Sequence, residues 1–134
     1  TYKTFINNNI FKYKSKYRRI HKQNKNYVGL VNDHHVIPKS LKNHNLLKQT
    51  NFCVNQNYNL YIMPNSFAAA RYLNLRNDVM IHQGCHNKYN LYVKKELNKI
   101  NELTTLDEKN YYLWLFLHFL KKNLKYNEDI IPWN

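Results

Sequence analysis

The part of the sequence that decides the fold is a six-residue stretch with two adjacent histidines, Asp33-His34-His35-Val36-Ile37-Pro38. Apolar and β-branched residues lead into it, so the pattern predicts a short strand over 27–37 that ends at the proline. Neighbouring side chains of a regular strand point to opposite faces, so a single face does not hold both imidazoles. A local bend or bulge is expected if the two histidines serve one site.

Two later segments carry further polar residues: an asparagine in the first and two histidines in the second. The first, Asn59-Leu60-Tyr61-Ile62-Met63-Pro64, predicts a second strand, and the residues from Phe67 to Leu75 predict a short helix after it. The second runs from His82 to Asn90 and places His82 and His86 four residues apart. Residues i and i+4 share one helical face, which suits two imidazoles that bind one metal ion. An amphipathic helix is predicted from Asn87 to Leu103, with Leu91, Leu97, Ile100 and Leu103 inward.

Together these segments resemble the HNH/endonuclease VII superfamily of nucleases, and most closely its AHH family. The resemblance rests on His34-His35-Val36-Ile37-Pro38-Lys39-Ser40-Leu41 with the later His44, on the strand that opens at Asn59, and on His82-Gln83-Gly84-Cys85-His86-Asn87-Lys88-Tyr89-Asn90. It covers roughly residues 30–95, and the flanks match no pattern that we can name. The resemblance implies an α+β fold: a small ββα-metal (His-Me finger) core, with flanking helices at both ends.

The same resemblance implies roles for individual residues. His35 would be the general base that takes a proton from the attacking water. Asn59 would accept a hydrogen bond from the His35 ring through its side-chain oxygen. His34, His82 and His86 would hold one divalent metal ion, whose identity (Mg, Mn, Zn or Ni) stays open. Three neutral nitrogens suit zinc, nickel or manganese better than magnesium.

Several assignments have alternatives. Asp33 stands where the family name has alanine, and we expect it to orient an imidazole or meet solvent rather than bind metal. Asn90 is an alternative ligand to His82, because it is also four residues from His86. The histidine pair could instead form a structural zinc clip with Cys85 or Cys53. His44 is either a capping residue or a phosphate contact.

Charge points to the partner. The 134 residues include 21 Lys and Arg but 8 Asp and Glu, a net charge of +13 that favours nucleic acid first and an anionic membrane surface second. Residues 1–32 hold eight of the basic residues, and the first carboxylate is Asp33. This segment is either a solvated helix or an arm that lies along phosphates. The predicted substrate-binding residues are Lys14, Lys16, Arg18, Arg19, Lys39 and His44.

Length and composition limit the architecture. One domain is expected over 1–134, with a basic N-terminal arm or helix over 1–27, the nuclease core over 28–100 and a C-terminal helix over 105–126 capped by Asp107. That helix is apolar almost all round, so it is either buried or a homodimer surface. The chain has five Gly and Pro residues in total and 43% hydrophobic residues, a composition that excludes collagen and low-complexity disorder. Two Cys are too few for a disulfide framework.

The predicted function is metal-dependent endonuclease hydrolysis of nucleic acid, with DNA favoured over RNA. The alternative is a non-catalytic nucleic-acid-binding module with a structural zinc site, which would be closed by four protein ligands. No secretory signal or membrane-spanning run is visible, so we expect a soluble protein. It would be cytoplasmic or delivered as part of a larger secreted carrier, and a toxin domain of that kind would have an inhibitory immunity protein as partner.

Overall fold

A computed structural model describes residues 2–3, 5, 15–76, 80–82, 86–126 and 131–133, with side chains of the first helix described from Ile20 onward. Seven labelled elements follow one another: α1 (Ser15–Asn24), β1 (Val31–His35), α2 (Asn45–Gln49), β2 (Leu60–Pro64), α3 (Phe67–Tyr72), α4 (Asn87–Asn101) and α5 (Leu106–Tyr126). Short 3-10 helices cover Lys39–Leu41 and Asn57–Asn59. A two-stranded sheet followed by helices is the predicted α+β arrangement with a ββα-type core.

The two strands pair antiparallel, from Val31 opposite Pro64 to His35 opposite Leu60. β1 is shorter than the predicted strand because a turn precedes it, in which Leu30 N donates to Tyr27 O and Gly29 has a φ of +79°. Pairing continues from Val31 to His35 without a bulge, so the expected bend is not found between these strands. By the alternation of the pleat, His34 and His35 therefore leave opposite faces of the hairpin.

A single cluster of buried apolar residues lies between the hairpin and the helices. α4 contributes Tyr89, Val93 and Leu97 at four-residue spacing, which is the stripe that a helix buries. The prediction that Leu91 points inward is wrong, since it is 59% exposed, because it lies off that stripe. Ile100 is half-buried against the cluster, as predicted for the inner face.

The last helix begins at Leu106 and is capped by Thr105, whose hydroxyl accepts from Glu108 N at 3.1 Å. Asp107, predicted as the cap, lies in the first turn instead. α5 buries one stripe, consisting of Leu113, Phe116, Leu117, Leu120, Asn123 and Leu124. Apolar residues on its other side remain exposed, among them Tyr112, Leu115 and Phe119. In the part of the chain that the structure describes, no helix has the length and apolar character to cross a bilayer.

Candidate metal centre and general base

Three histidines from separate parts of the chain converge beside the hairpin. His34 comes from β1, His82 from the segment before α4, and His86 from the residue that precedes α4. One ring nitrogen from each lies within 4.8 Å of the other two. The ring centroids are 5.2 Å apart for His34–His82 and for His34–His86, and 5.5 Å apart for His82–His86. This group has the size of a site for one ion.

Backbone contacts, rather than a shared helix, bring His82 and His86 together. α4 starts at Asn87, so His86 is its N-cap and His82 lies outside the helix. The backbone N of His82 donates to Pro64 O at 2.9 Å, and the Asn32 amide donates to His82 O at 3.3 Å. The prediction that the two histidines share one helical face is therefore wrong, because the hairpin positions His82 directly.

Burial lowers the pKa of two of the three histidines, His34 and His82. Burial first, and then the imidazoles of His82, His86 and His35, lower the pKa of His34 to about 3. Burial and the neighbouring His86 and His35 also lower the pKa of His82, against an opposing effect of Asp33. Both rings are therefore uncharged at neutral pH, which is the protonation state that binds a metal.

Two of the ring nitrogens lack a partner in the part of the chain that the structure describes. His34 Nε2 and His82 Nδ1 are buried and have no hydrogen-bond partner among the described residues. A buried polar atom that is left unsatisfied costs about 1–3 kcal/mol, so such atoms in a native fold call for an explanation. A cation bound by both nitrogens would remove this cost, and imidazole nitrogens are ligands that zinc and similar ions accept. The residues present therefore fit a divalent metal.

Asn90 supports His86 from within α4. Its side-chain oxygen lies 3.3 Å from His86 Nδ1. Because an amide oxygen only accepts, Nδ1 carries the proton and Nε2 keeps a lone pair, as in metal sites where a second residue fixes the ligand tautomer. Of the two sequence alternatives, His82 joins the histidine group and Asn90 lies against His86.

Aromatic rings surround the histidine group. Tyr89 of α4 is fully buried, 5.3 Å from the His34 ring, and its hydroxyl donates to Val36 O. Trp133 lies 4.7 Å from the His86 ring and 5.2 Å from the His34 ring. No sequence pattern points to Trp133, because it is far along the chain and outside every motif. These rings make a largely apolar wall around the neutral donors.

His35, the predicted general base, is the last residue of β1 and is half-buried, and its ring is close enough to contribute to the lowered pKa values of His34 and His82. Its Nε2 is 2.9 Å from the side-chain oxygen of Asn55, in the loop before β2. That oxygen accepts, so Nε2 carries the proton and Nδ1 keeps its lone pair. No sequence signal separates Asn55 from the many other asparagines of the chain.

Asn59, the other predicted catalytic residue, does not contact the His35 ring. Its oxygen accepts from Ile37 N at 2.7 Å, and its nitrogen donates to Ile37 O at 2.9 Å and Val54 O at 2.7 Å. The predicted hydrogen bond from His35 is therefore wrong, because these three contacts use the fully buried amide. Asn59 instead holds together the ends of the loop between the strands.

Asp33 and His44 also have defined partners. Asp33 Oδ2 lies 3.1 Å from Lys22 Nζ, so this carboxylate ties α1 to the hairpin. His44 uses both ring nitrogens within the protein: Nδ1 accepts from Leu46 N at 3.0 Å, and Nε2 lies 2.7 Å from the Asn98 side-chain oxygen. These contacts favour the capping alternative for His44 over a phosphate contact.

The remaining predicted substrate-binding residues are basic. Lys39 is exposed in the first 3-10 helix. Lys14 lies outside the described residues, as do the side chains of Lys16, Arg18 and Arg19, whose backbone belongs to α1. Cys85, named in the zinc-clip alternative, also lies outside them, and Cys53 is a half-buried free thiol.

The hairpin, the helix after it and the histidine group are features of a ββα-metal nuclease. Residues 15–111 match the model of AHH, a nuclease family of the HNH/ENDO VII superfamily with conserved AHH. This match spans well over half of the 134 residues, so the chain belongs to the AHH family. No curated protein and no solved structure shows a significant match.

The family match extends further than the sequence motifs. It begins at Ser15 and ends within α5, so α1 lies inside the family region, contrary to the expectation that the basic flank matches nothing. The triplet that names the family reads Asp33-His34-His35 here. Since Asp33 binds Lys22 of α1, the departure from alanine coincides with a contact between two parts of the family region.

Proposed function

We propose that this nuclease is an endonuclease that hydrolyses DNA phosphodiester bonds, with His35 as general base and one divalent metal ion held by His34, His82 and His86. The observation that carries the proposal is the buried histidine group, in which two nitrogens have no partner among the described residues. His35 is the next residue after His34 and ends the same strand. Although the pleat sends the two side chains to opposite faces, the His35 ring is close enough to contribute to the lowered pKa values of both His34 and His82, so the proton acceptor lies beside the metal ligands.

The proton transfer would fall to the Nδ1 atom of His35. Histidine is the side chain that most readily exchanges a proton near neutral pH, and a half-buried ring at the end of β1 is open to water. The contact with Asn55 would hold the tautomer that leaves Nδ1 free to accept. Asn59 would act indirectly, by holding the loop from which Asn55 projects.

The histidine group would hold the cation through His34 Nε2, His82 Nδ1 and His86 Nε2. A divalent ion bound there supplies positive charge against the phosphoryl oxygens and the departing 3′ oxygen. Three protein ligands converge among the described residues, whereas a structural zinc site has four. A catalytic centre uses three protein ligands and an open position, whereas the binding-module alternative needs a fourth ligand such as Cys85, which lies outside the described residues.

The charge of the chain supports a nucleic-acid substrate. A net charge of +13 attracts phosphates regardless of sequence, so binding should weaken steeply with salt. DNA is the proposed substrate. RNA of the same length is the direct comparison, because both polymers present the same backbone charge to the lysines and arginines.

The test is cleavage of supercoiled plasmid by the purified chain with Mg²⁺, Mn²⁺, Zn²⁺ or Ni²⁺, followed by chelation. We expect nicked and linear products with at least one metal, none with chelator, and slower cleavage of RNA. His35→Ala should lower cleavage by about 10²-fold or more, while His118→Ala, a matched change on α5, should not. Binding without cleavage under every metal would instead support the zinc-containing binding module.

Two protein partners are proposed: a second copy of this chain and an inhibitory immunity protein. A homodimer would use the exposed side of α5, where Tyr112, Leu115 and Phe119 are spaced along one face. Light scattering across a concentration series tests it, with Leu115→Lys as the disrupting change. If the chain is delivered as part of a larger secreted carrier, we expect an acidic immunity protein that binds the basic surface and blocks cleavage.

A further inference from the structure

The segment 131–133 connects the apolar core to the histidine group. Ile131 is 7% exposed and belongs to the buried cluster, whereas Pro132 is exposed. Trp133 is half-buried and contacts the rings of His34, His86 and Tyr89, at centroid distances of 5.2, 4.7 and 5.2 Å. Ile131 thus anchors this segment in the core, and Trp133 contacts the candidate metal ligands.

The contacts of Trp133 are directional. Its indole plane lies at 63° to the His34 ring and at 64° to the Tyr89 ring, both edge-on, and at 39° to the His86 ring. Edge-to-face arrangements of aromatic rings are favoured by about 0.5–1.5 kcal/mol beyond the area that they bury. Since a metal binds an imidazole in the plane of its ring, contacts that limit ring rotation also limit the direction of the lone pair.

We propose that Trp133 is a positioning residue of the metal centre, which holds the His34 and His86 rings in ligand orientation and keeps water from that side of the site. The inference rests on the proposed metal site and adds a residue from outside the family match, which ends at residue 111. Residues that orient metal ligands typically change metal affinity by about 10- to 100-fold when they are replaced.

The linkage works in both directions. If the docked indole strengthens metal binding, bound metal must stabilise the docked indole by the same factor. Metal binding should therefore be visible from Trp133 itself. Trp114 provides an internal control, because it packs in a different ring cluster with Tyr2, Tyr111 and His118.

The first measurement is metal affinity in the absence of nucleic acid, by competition with a chromophoric chelator for Zn²⁺ and Co²⁺. The variants are Trp133→Ala, Trp133→Phe and the matched Trp114→Phe. We expect about 10- to 100-fold weaker binding for the alanine variant, recovery to within about threefold for Trp133→Phe, and no change for Trp114→Phe. Circular dichroism of each chelated variant verifies the fold.

The second measurement uses tryptophan fluorescence. In the Trp114→Phe protein, Trp133 is the remaining tryptophan, so Co²⁺ should quench its emission at one equivalent. In the Trp133→Phe protein, Trp114 should be quenched much less. Equal metal affinity of Trp133→Ala and the parent, or equal quenching of the two tryptophans, would overturn the inference. Absence of metal binding by the parent would overturn the proposed metal site as well, so the two failures are distinguishable.

Discussion

His34 and His35 are neighbours in the chain, yet they occupy opposite environments. His34 is 1% exposed among four aromatic or imidazole rings, whereas His35 is half-buried and has one amide partner. The difference follows from the pleat, which sends successive side chains to opposite faces while the pairing continues to Leu60. One dipeptide can therefore supply a neutral, dehydrated metal ligand and a hydrated proton acceptor.

The largest effect is expected when each of these two histidines is replaced by alanine in turn. His35→Ala should lower hydrolysis by about 10²-fold or more while metal affinity stays at the parent value, because this ring lies outside the histidine group. His34→Ala should lower metal affinity itself. Calorimetric metal titration beside plasmid cleavage distinguishes the two variants. Loss of metal in His35→Ala, with the fold intact, would contradict the assignment of base and ligand.

Replacing Asn59 tests whether its hydrogen bonds hold the loop between β1 and β2. Asn59→Ala removes three buried hydrogen bonds and leaves the backbone groups of Ile37 and Val54 unpaired, so we expect about 3 kcal/mol of lost stability. Urea unfolding of the chelated protein measures it. Asn43→Ala, an exposed asparagine of the same loop, is the control. A stable Asn59→Ala protein with normal cleavage would contradict the structural role.

The burial of His34 predicts a pH dependence of the metal-free protein. Its pKa is about 3 in the fold against 6.5 for the free side chain, so the unfolded chain binds more protons between these values. Stability therefore falls as the pH drops through this window, by at most about 1.4 kcal/mol per pH unit from this group. Urea unfolding from pH 7 to pH 4 in chelator should show a shallower loss for His34→Phe than for the parent. Parallel curves would mean that His34 is not buried as a neutral ring.

Replacing Asn55 tests whether its contact with the His35 ring supports proton transfer. Asn55→Ala should lower hydrolysis by about tenfold, because the tautomer with a free Nδ1 loses its support. Asn55→Asp should restore part of the rate and move the acid limb of the pH–rate profile to higher pH, since a carboxylate favours the protonated ring. Metal affinity should stay unchanged in both. An unchanged pH profile in Asn55→Asp would remove Asn55 from the catalytic scheme.

Local patterns predicted the two strands, the later helices and the three histidines that come together, but they did not predict the contacts within the site. Proline and β-branched residues mark the two strands, and apolar residues at helical spacing mark α4, so these elements were recognisable even though Leu91 was assigned to the wrong side. The His82–His86 spacing indicated a shared site for the wrong reason, since the helix starts after His86.

Contacts that depend on the loop conformation were out of reach of the sequence. Asn59 and Asn55 are the same residue type in one polar segment, and only the fold shows which amide meets the backbone and which meets His35. Trp133 reaches the site from a distant part of the chain, and neither periodicity nor motif spacing carries that information. Side-chain types thus indicate the chemistry, while long-range packing decides the partners.

The smallest effect on turnover is expected from the basic segment. In the described residues, the contact of Lys22 with Asp33 joins this segment to the strand that carries His34 and His35. Eight positive charges precede the first carboxylate, and one carboxylate cannot neutralise them, so most should be available to phosphates. Replacing Lys14, Lys16, Arg18 and Arg19 by Gln should weaken DNA binding and lower the log–log salt slope by up to ~0.9 per lost contact.

Turnover at saturating DNA should change little in this variant, because the replaced residues lie outside the histidine motifs that we propose to hold the metal and the attacking water. Fluorescence anisotropy across a salt series measures the slope, and cleavage at saturating DNA measures the turnover. Lys22→Gln is the informative companion, because it removes the contact of Lys22 with Asp33, whose negative charge opposes the lowering of the His82 pKa. An unchanged slope in the fourfold variant would make the segment a solvated helix. A collapse of saturated turnover, with the fold intact, would instead mean that α1 reaches the scissile phosphate and that two histidine faces do not complete the site.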